Sequence, residues 1–534
     1  MYQNLMKKRF LSKDCLVHLL KFLVKVPLFI GAFFIYGEEM ELTFEKHFDM
    51  RSDADAVVIP FWKKEGAVEI AAMYGDYKEY IYPIIDLGDF SAKEQEVCLL
   101  YDFHHKEQRL ILLGLGSEQT STPESIRRSY AEAVKYGMSK KLKTLNILLP
   151  LHADYSVNDL AYIVAECSFL TNYRFDYMSV KQDKKPSLIE KVCVIADIED
   201  PSQIYAEAQA ISKGVNFARD LVNGNADDVT PKVLADHASD LERKYEHVKV
   251  KILDKHAIQK EGMGLFYAVA RSSPEDPYFI VVSYQGNSSS QDHTVLIGKG
   301  ITYDTGGLSI KPTAGMESMR CDMAGGATVL GTLLVAAEMK MPINISCVVA
   351  ATENAIGSNS YKLGDVYIAY NKKTVEIKNT DAEGRLALAD CLAYAVDQLK
   401  PTRIIDLATL TGAAEVALGN HKSPFFSNDD ALATALFQAG EEVGERLWLM
   451  PLDQDYKELI TSKIADLKNC GSREGSLIFS AMFLKEFVSN IPWAHLDIAG
   501  TAFLDKPRYY HTTSATGYGV RLLIHYFKKF YVNK

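Results

Sequence analysis

The sequence predicts an α/β protein in which a C-terminal domain contains a mixed, largely parallel sheet flanked by helices, preceded by a smaller N-terminal α/β domain. Three observations support this fold class. Strand-like apolar runs alternate with helical patterns, the crossovers are long enough to join parallel strands, and charged or glycine-rich segments follow several strands. Ligands bind beyond the carboxyl ends of strands in such sheets, so those segments are the places to search for a site.

The length and composition are those of a folded globular protein with more than one domain. The 534 residues are 48% hydrophobic and 24% charged, and a prior of ~150 residues per domain favours at least two domains. A net charge of −10 without a basic tract argues against a nucleic-acid partner. Eight cysteines without paired spacing indicate reduced, buried thiols, which favours a cytoplasmic location.

Residues 1–40 form an atypical extension. Basic residues at 7–9 precede an apolar tract over 15–36, as in an export signal. Two lysines divide that tract, so the uncharged run 26–36 is too short to span a bilayer, and no small-x-small cleavage site follows it. An explanation at least as good as a signal or anchor is that translation starts at Met40 and that the residues before it are not translated. We expect no membrane partner.

Residues 41–200 are predicted to form the N-terminal α/β domain. Its expected strands are 56–60, 110–115, 145–150 and 192–196, and an expected helix spans 123–140. Acid, histidine and cysteine are not concentrated there at metal-ligand spacing, so we expect a domain that packs or oligomerises. Residues 201–534 then form the second, larger domain, with 201–224 as a linking helix.

The second domain continues the alternation of strands and helices. Its main expected strands are 294–297, 343–350 and 404–408, and its expected helices are 324–339, 386–399 and 431–443.

The stretch NTDAEGRL, residues 379–386, places two carboxylates and a guanidinium in a turn between a strand-like run and a helix. One interpretation is a metal-and-anion site built on Asp381, Glu383 and Arg385. The other is a capping box, in which Thr380 satisfies a free backbone N–H and Glu383 reaches back to the cap. A stretch of this kind is more often a cap when it occurs alone, so the neighbouring segments must decide.

Two further segments add charged residues near strand ends. KGITYDTGGLSIKP supplies Lys299, Asp304 and Lys311 after a strand expected to end at Gly298, and Asp322 precedes the next helix. Crowded carboxylates repel one another and are normally tolerated when cations neutralise them. Oxygen ligands without histidine suit Mg²⁺, Mn²⁺ or Zn²⁺, and bridging carboxylates suit a pair of ions. Each residue alone could be a turn, a cap or a surface lysine, but their coincidence favours a metal site.

These segments closely resemble the signatures of the leucyl aminopeptidase family, also called cytosol aminopeptidases, over about residues 219–527. The motifs that carry the resemblance are KGITYDTGGLSIKP, MRCDM, ATENAIG, NTDAEGRL, DLATLTGA, GSREG, WAHLDIAG and SATG. The resemblance implies a metal-dependent exopeptidase that releases N-terminal residues from peptides, leucine and other large apolar residues above all, for intracellular peptide and protein turnover. It also implies a homohexamer.

The resemblance further implies two divalent ions, Mn²⁺ or Zn²⁺, that share and activate a water molecule. The ligands of the first ion would be Lys299, Asp304, Asp322 and Glu383, and those of the second would be Asp304, Asp381 and Glu383. Lysine must lose its proton before it can bind a metal, and a neighbouring dication can lower its pKa enough for this to happen.

The remaining roles also follow from the resemblance. Lys311 would polarise the scissile carbonyl, and Arg385 would hold a bicarbonate-like anion that shuttles a proton from the water to the leaving amine. The residues that would contact the substrate are Met319, in the pocket for the N-terminal side chain, and Thr409, Leu410 and Gly412, along the peptide backbone.

Departures from the family pattern are few, and none removes an implied ligand. Ala355 and Ile356 stand where the family usually has a methionine and a proline, which could tune specificity. We interpret His495 and Asp497 as buried strand residues rather than ligands. Two rival functions remain: a DNA-binding architectural factor of the same fold, disfavoured by the net charge, and another dinuclear hydrolase, disfavoured by the absence of histidine from the cluster.

Overall fold

Two open sheets organise the fold, and helices flank both of them. The computed structural model describes residues 40–64, 67–68, 77–101, 106–175 and 187–532. The predicted extension, Met40 apart, therefore lies outside the described residues.

The strands are numbered in chain order. In the first 200 residues they are β1 (Glu41–Glu45), β2 (Ala56–Phe61), β3 (Lys63–Lys64), β4 (Ala67–Val68), β5 (Val97–Tyr101), β6 (Arg109–Gly114), β7 (Thr144–Leu148) and β8 (Lys191–Ile195). Those that follow are β9 (Val248–Leu253), β10 (Tyr278–Gln285), β11 (Thr294–Asp304), β12 (Asn344–Asn354), β13 (Val366–Ile368), β14 (Thr374–Glu376), β15 (Arg403–Ala408), β16 (Ser423–Ser427), β17 (Leu447–Leu449), β18 (Leu467–Lys468) and β19 (Trp493–Asp497).

The α-helices are numbered in the same way. They are α1 (Lys78–Asp86), α2 (Pro123–Ser139), α3 (Val157–Thr171), α4 (Ser202–Asn223), α5 (Pro231–Lys244), α6 (Lys255–Glu261), α7 (Gly264–Ala270), α8 (Thr313–Met316), α9 (Ala324–Glu338), α10 (Gly384–Tyr394), α11 (Gly412–Leu418), α12 (Asp430–Val443), α13 (Ser476–Lys485) and α14 (Val520–Phe527). A 3₁₀ turn, Met319–Cys321, lies between α8 and α9.

The N-terminal sheet has six strands in the order β1-β8-β7-β2-β6-β5, and all of its pairs are parallel except β5 with β6. Two of its helices begin with local side-chain caps: Thr122 and Ser125 form a capping box at α2, and Ser156 and Asp159 form one at α3. The sequence predicted four of these strands and the helix α2 to within two residues at each end.

The larger sheet has eight strands in the order β17-β16-β19-β15-β11-β12-β10-β9. Its centre is parallel, from β19 through β15 and β11 to β12, whereas β10 and β9 add antiparallel pairs at one edge. The predicted mixed, largely parallel sheet flanked by helices is therefore confirmed. Because the central strands run the same way, their carboxyl ends meet at one edge.

Strand β11 is longer than the sequence indicated. The prediction ended this strand at Gly298, but its parallel pairing with β12 continues from Lys299↔Ala350 to Ile301↔Thr352 and resumes at Asp304↔Asn354 after an irregularity. The prediction was wrong here because glycine, lysine and aspartate are typical of turns. Lys299 consequently projects from the middle of a buried strand.

Helix α9 is the central helix of the core. It is apolar on all sides and buried along nearly its full length, as a helix enclosed by other layers must be. Part of the stretch Thr313–Glu338 is apolar enough in composition to cross a membrane, but 94% of that window is buried inside the fold. Helix α9 crosses α4 closely at Gly331 and Gly214, where an added Cβ on Gly214 would lie 2.7 Å from the Gly331 carbonyl oxygen.

A buried ion-pair network joins helices of the first 200 residues to the C-terminal helix α14. Glu166 Oε2 accepts hydrogen bonds from Arg127 Nε at 2.8 Å and from Arg521 Nη2 at 3.0 Å. Residues Met40–Lys534 pack as one compact unit, and the division into domains at about residue 200 stays a prediction. The described cysteines are free of disulfides, and most are buried.

Because of this network, we expect the free energy of unfolding to decrease as the pH becomes acidic. Burial disfavours the charged form of Glu166, but Arg521 and Arg127 outweigh that effect and lower its pKa from 4.5 to about 2. A carboxyl whose pKa is lowered by folding stabilises the native state above its unfolded value, and that contribution is lost as the pH falls toward 2. Glu166→Gln should therefore lower the free energy of unfolding by about 3–5 kcal/mol at neutral pH.

Urea unfolding between pH 7 and 2 measures this effect, with Glu41→Gln as the control. Glu41 pairs with Lys191 on the surface, so its loss should change stability by at most about 1 kcal/mol. The expectation fails if the difference between wild type and Glu166→Gln stays constant across that pH range.

Candidate active site

The candidate site lies at the carboxyl end of β11, where three predicted carboxylates converge. One oxygen from each of Asp304, Asp381 and Glu383 lies within 4.8 Å of the other two. Asp304 and Glu383 are buried, and Asp381 is half-buried. Asp304 ends β11, whereas Asp381 and Glu383 occupy the turn between β14 and α10. The sheet therefore brings together residues about 80 positions apart in the chain.

Two lysines neutralise this cluster. Lys299 Nζ donates to Asp322 Oδ1 at 2.8 Å and lies 2.8 Å from Glu383 Oε1, so it connects Asp322 to the other carboxylates. Lys311 Nζ lies 2.8 Å from Asp304 Oδ2 and 2.7 Å from Asp381 Oδ1. Every predicted metal-site residue is thus in one continuous network of charges.

The pKa is raised for three members of the network, although the causes differ. Burial and the neighbouring Glu383 raise the pKa of Asp304 to about 6. Burial also raises the pKa of Asp322, although Lys299 opposes this. Burial alone would lower the pKa of Lys299, but Asp322 and Glu383 outweigh it and raise that pKa. A lysine in this state holds its proton, and it could bind a metal only when a bound dication reverses the shift.

A divalent cation fits this donor set. Glu383 Oε2 is buried and accepts no hydrogen bond from any residue that the structure describes. Burying a carboxylate oxygen without a partner costs folding free energy. Asp304, Asp381 and Glu383 together offer the oxygen ligands that Mg²⁺, Mn²⁺ and Zn²⁺ accept.

Glycine at position 384 makes room for Lys299. A Cβ on Gly384 would lie 2.5 Å from Lys299 Cε and 2.7 Å from its Nζ. Such contacts are shorter than packed atoms allow, so the first residue of α10 can carry no side chain while Lys299 reaches Glu383.

The capping-box interpretation of Thr380 and Glu383 is wrong. Glu383 stands at the N-cap of α10 but makes no side-chain cap, and the helix begins at Gly384. Thr380 Oγ1 instead donates to the Gly306 carbonyl at 2.7 Å and accepts from Ser309 N at 2.7 Å. Its hydroxyl ties the turn to the loop after β11, because tertiary contacts are available to it that the local sequence does not reveal.

Arg385 is a buried cation without an acidic partner among the described residues. Its Nη1 donates to the Asn469 carbonyl at 2.7 Å, and its guanidinium lies 5.4 Å from the Phe479 ring centre. Within the part of the chain that the structure describes, its Nε has no hydrogen-bond partner. Burial lowers its pKa, against the opposing effect of nearby acidic groups. A guanidinium in this setting is suited to a small planar anion.

The predicted substrate residues differ in how they are placed relative to the charged cluster. Thr409 contacts the charged cluster directly, because its carbonyl accepts from Lys299 Nζ at 3.0 Å and its hydroxyl donates to Asp322 Oδ1 at 2.7 Å. Leu410 follows in the same loop, and Gly412 begins α11 on the exposed surface. Met319 is half-buried in the 3₁₀ turn before Asp322, whose N–H donates to its carbonyl at 3.4 Å.

The chain also matches two family models over most of its length. The catalytic domain of the cytosol aminopeptidase family matches residues 216–524, and the N-terminal domain of the same family matches residues 58–182. The chain belongs to the cytosol aminopeptidase family. Membership supports a metal-dependent aminopeptidase activity that acts on peptides.

Curated relatives agree with this assignment. The chain is 46% identical over 493 residues to a probable cytosol aminopeptidase of Protochlamydia amoebophila, which covers 92% of this chain and 99% of that protein. It is also 45% identical over 494 residues to a probable cytosol aminopeptidase of Chlamydia trachomatis serovar D. That match covers 90% of this chain and 97% of the relative.

Solved structures of similar proteins share the fold of this family member. A mutant of tomato leucine aminopeptidase superposes with a TM-score of 0.81 at 31% identity, covering 91% of this chain and 96% of that one. The bottromycin maturation enzyme BotP in complex with Mn superposes with a TM-score of 0.79 at 29% identity. The superposition covers 89% of this chain and 99% of the BotP chain.

Sequence reasoning missed two residues that hold the candidate site in place. Asn354 Nδ2 donates to Asp304 Oδ1 at 2.7 Å and to the Thr380 carbonyl at 3.0 Å. Asn469 Oδ1 accepts from Lys378 N at 2.8 Å, and its carbonyl binds Arg385. The only available signal for Asn354 was its place within the motif ATENAIG, because the predicted strand 343–350 ended before it and the observed strand continues to Asn354. Asn469 lies in a segment without regular pattern, so no local signal marked it.

The Thr380 contacts predict a measurable coupling between loop geometry and cation binding. Thr380→Val keeps the side-chain shape but leaves the Gly306 carbonyl and the Ser309 N–H without their partner. We expect a loss of about 1–3 kcal/mol in unfolding free energy and weaker Mn²⁺ binding in calorimetric titration. Thr380→Ser keeps the hydroxyl and is the matched control. Equal Mn²⁺ affinities in the valine and serine variants would contradict the coupling.

Proposed function

We propose that this protein is a leucyl aminopeptidase that uses two divalent ions, Mn²⁺ or Zn²⁺, to release N-terminal leucine and other large apolar residues from peptides. The observation that carries the proposal is the convergence of Asp304, Asp381 and Glu383 with Lys299 and Lys311 at one sheet edge. Family membership supports the peptidase chemistry, and the likeness to tomato leucine aminopeptidase supports the leucine preference.

The proposed ligands are those that the sequence resemblance implied. They are Lys299, Asp304, Asp322 and Glu383 for one ion, and Asp304, Asp381 and Glu383 for the other. Divalent ions bound there would lower the pKa of a shared water and polarise the scissile carbonyl. The Mn complex of the structural neighbour BotP supports manganese as one candidate.

Lys311 is the proposed carbonyl-polarising residue. Its ammonium lies beside Asp304 and Asp381. Burial alone would lower the pKa of Lys311, but Asp304, Glu383 and Asp322 outweigh burial and raise that pKa. The group therefore stays charged at neutral pH and can donate to the oxygen of the scissile carbonyl as negative charge develops there.

Arg385 is the proposed anion-holding residue. Its unpartnered Nε and its lack of an acidic partner in the described chain support a bicarbonate-like ligand, which a guanidinium binds in a planar, two-point arrangement. Such an anion can exchange protons with water and with a leaving amine. Arg385 itself keeps its charge and fixes the position at which that exchange takes place.

The proposed substrate contacts are Met319 for the N-terminal side chain and Thr409, Leu410 and Gly412 for the peptide backbone. Thr409 supports this assignment because it contacts both Lys299 and Asp322, so any peptide lying along the loop would lie beside the metal site. We place the enzyme in the cytoplasm, in peptide and protein turnover, on the family's description as cytosolic.

Metal removal and two substitutions test this function on a leucyl anilide. EDTA should abolish hydrolysis, and added Mn²⁺ or Zn²⁺ should restore it. Asp381→Ala should be inactive because it deletes a proposed ligand of the second ion, and Lys311→Ala should lower kcat by ~10²–10³ because it removes one donor to the developing oxyanion.

Lys378→Ala is the matched control, since Lys378 lies close in sequence but is exposed and paired with Glu376 at 3.0 Å. It should keep full activity. Hydrolysis that survives chelation, or an active Asp381→Ala variant, would refute the two-metal mechanism.

The proposed homohexamer gives a further expectation. Light scattering at micromolar concentration should give a mass about six times that of the 59.6 kDa chain. A monomeric mass under those conditions would contradict it.

A further inference from the structure

Asp497 ends strand β19 as a fully buried carboxylate that belongs to no ion pair in the described structure. It accepts hydrogen bonds from one short loop and from a backbone N–H two residues further along its own segment. Its Oδ1 accepts from Leu410 N at 3.1 Å, from Thr411 N at 3.4 Å and from Ala499 N at 3.2 Å, and its Oδ2 accepts from Thr411 Oγ1 at 2.7 Å.

The loop that Asp497 binds is the connection from β15 to α11. Thr411 is the N-cap of α11, and its Oγ1 also accepts from Ala414 N at 3.2 Å. On its other side the loop is fixed to the metal site through Thr409, which contacts Lys299 and Asp322. The loop is thus held by three buried charged residues: Lys299 and Asp322 on one side and Asp497 on the other. Of these, Asp497 is the one that makes no ion pair with the carboxylate cluster or its lysines in the described structure.

We propose that Asp497 is a positioning residue that sets the conformation of the loop from Thr409 to Gly412 and so aligns it along the peptide backbone. This inference rests on the proposed aminopeptidase function, which assigns that loop to the substrate. Hydrogen bonds to a charged, desolvated acceptor are among the strongest that a loop can make. The Leu410 N–H is also committed to Asp497, and the partly buried Leu410 side chain packs against the hydrophobic core, so both ends of this residue are fixed.

Other residues on the same face of the sheet do not share this role. Asp406 lies on the neighbouring strand β15, and its two oxygens are occupied by His495 Nδ1 at 2.6 Å and Trp493 Nε1 at 2.7 Å. Asp406 therefore stabilises the sheet without contacting the loop. It supplies a control of equal burial and charge.

The test compares two substrates with the same N-terminal residue in the metal-loaded enzyme. A leucyl anilide has no peptide backbone beyond the scissile bond, whereas a leucyl tripeptide does. Asp497→Asn should raise KM for the tripeptide with little change in kcat, so that the ratio of tripeptide to anilide kcat/KM falls about 10-fold, as for loss of one hydrogen bond to a charged group. Thr411→Val, which removes the hydroxyl partner, should shift the ratio in the same direction.

A second measurement needs neither substrate nor metal. In the metal-free protein, Asp497→Asn should speed hydrogen exchange at the amides of Leu410, Thr411 and Ala414, whereas Asp406→Asn should lower stability and leave those amides and the substrate ratio unchanged. The proposal is overturned if Asp497→Asn alters neither quantity, or if Asp406→Asn alters both equally. If the wild type hydrolyses neither substrate, the proposed function fails, and the exchange measurement still decides the role of Asp497.

Discussion

Neutralising buried negative charge at the carboxyl end of β11 is the constraint on which the site depends. Asp304, Asp322 and Glu383 are each at most 3% exposed, where like charges repel strongly and water cannot screen them. Lys299 and Lys311 supply the compensating charge in the present structure. The geometry of the surrounding elements follows from this need: β11 continues past Gly298 so that Lys299 projects from a strand, and α10 begins with a glycine that leaves it room.

Hydrogen bonds, several of them to carboxylates, fix the loops that carry these charges. Asn354 joins Asp304 to the turn containing Thr380, and Thr380 joins that turn to the glycines after β11. Asp497 does the same for the loop after β15. A site assembled from separate strand ends needs such connections because electrostatic attraction alone does not define distances between loops.

Family membership and local geometry support different parts of the function. Membership, shown over both domains of the family, supports an aminopeptidase, while the metal pair, the leucine preference and the roles of Lys311 and Arg385 are proposals that the charge network supports. Arg385 illustrates the distinction: its burial and unpartnered Nε are structural facts, and the anion it would hold is an inference from them.

The sequence by itself determined the fold class, the positions of most strands and helices, and the set of charged residues that converge. Apolar periodicity, the length of the crossovers and the charged segments that follow strands can all be read along the chain. Tertiary structure alone decided the rest. It extended β11 through a glycine-rich segment by pairing it with β12, and it turned Thr380 from a helix cap into a link between loops. It also positioned Asn354, Asn469 and Asp497, whose partners on other elements lie from 26 to 91 residues away, beyond the reach of any local pattern.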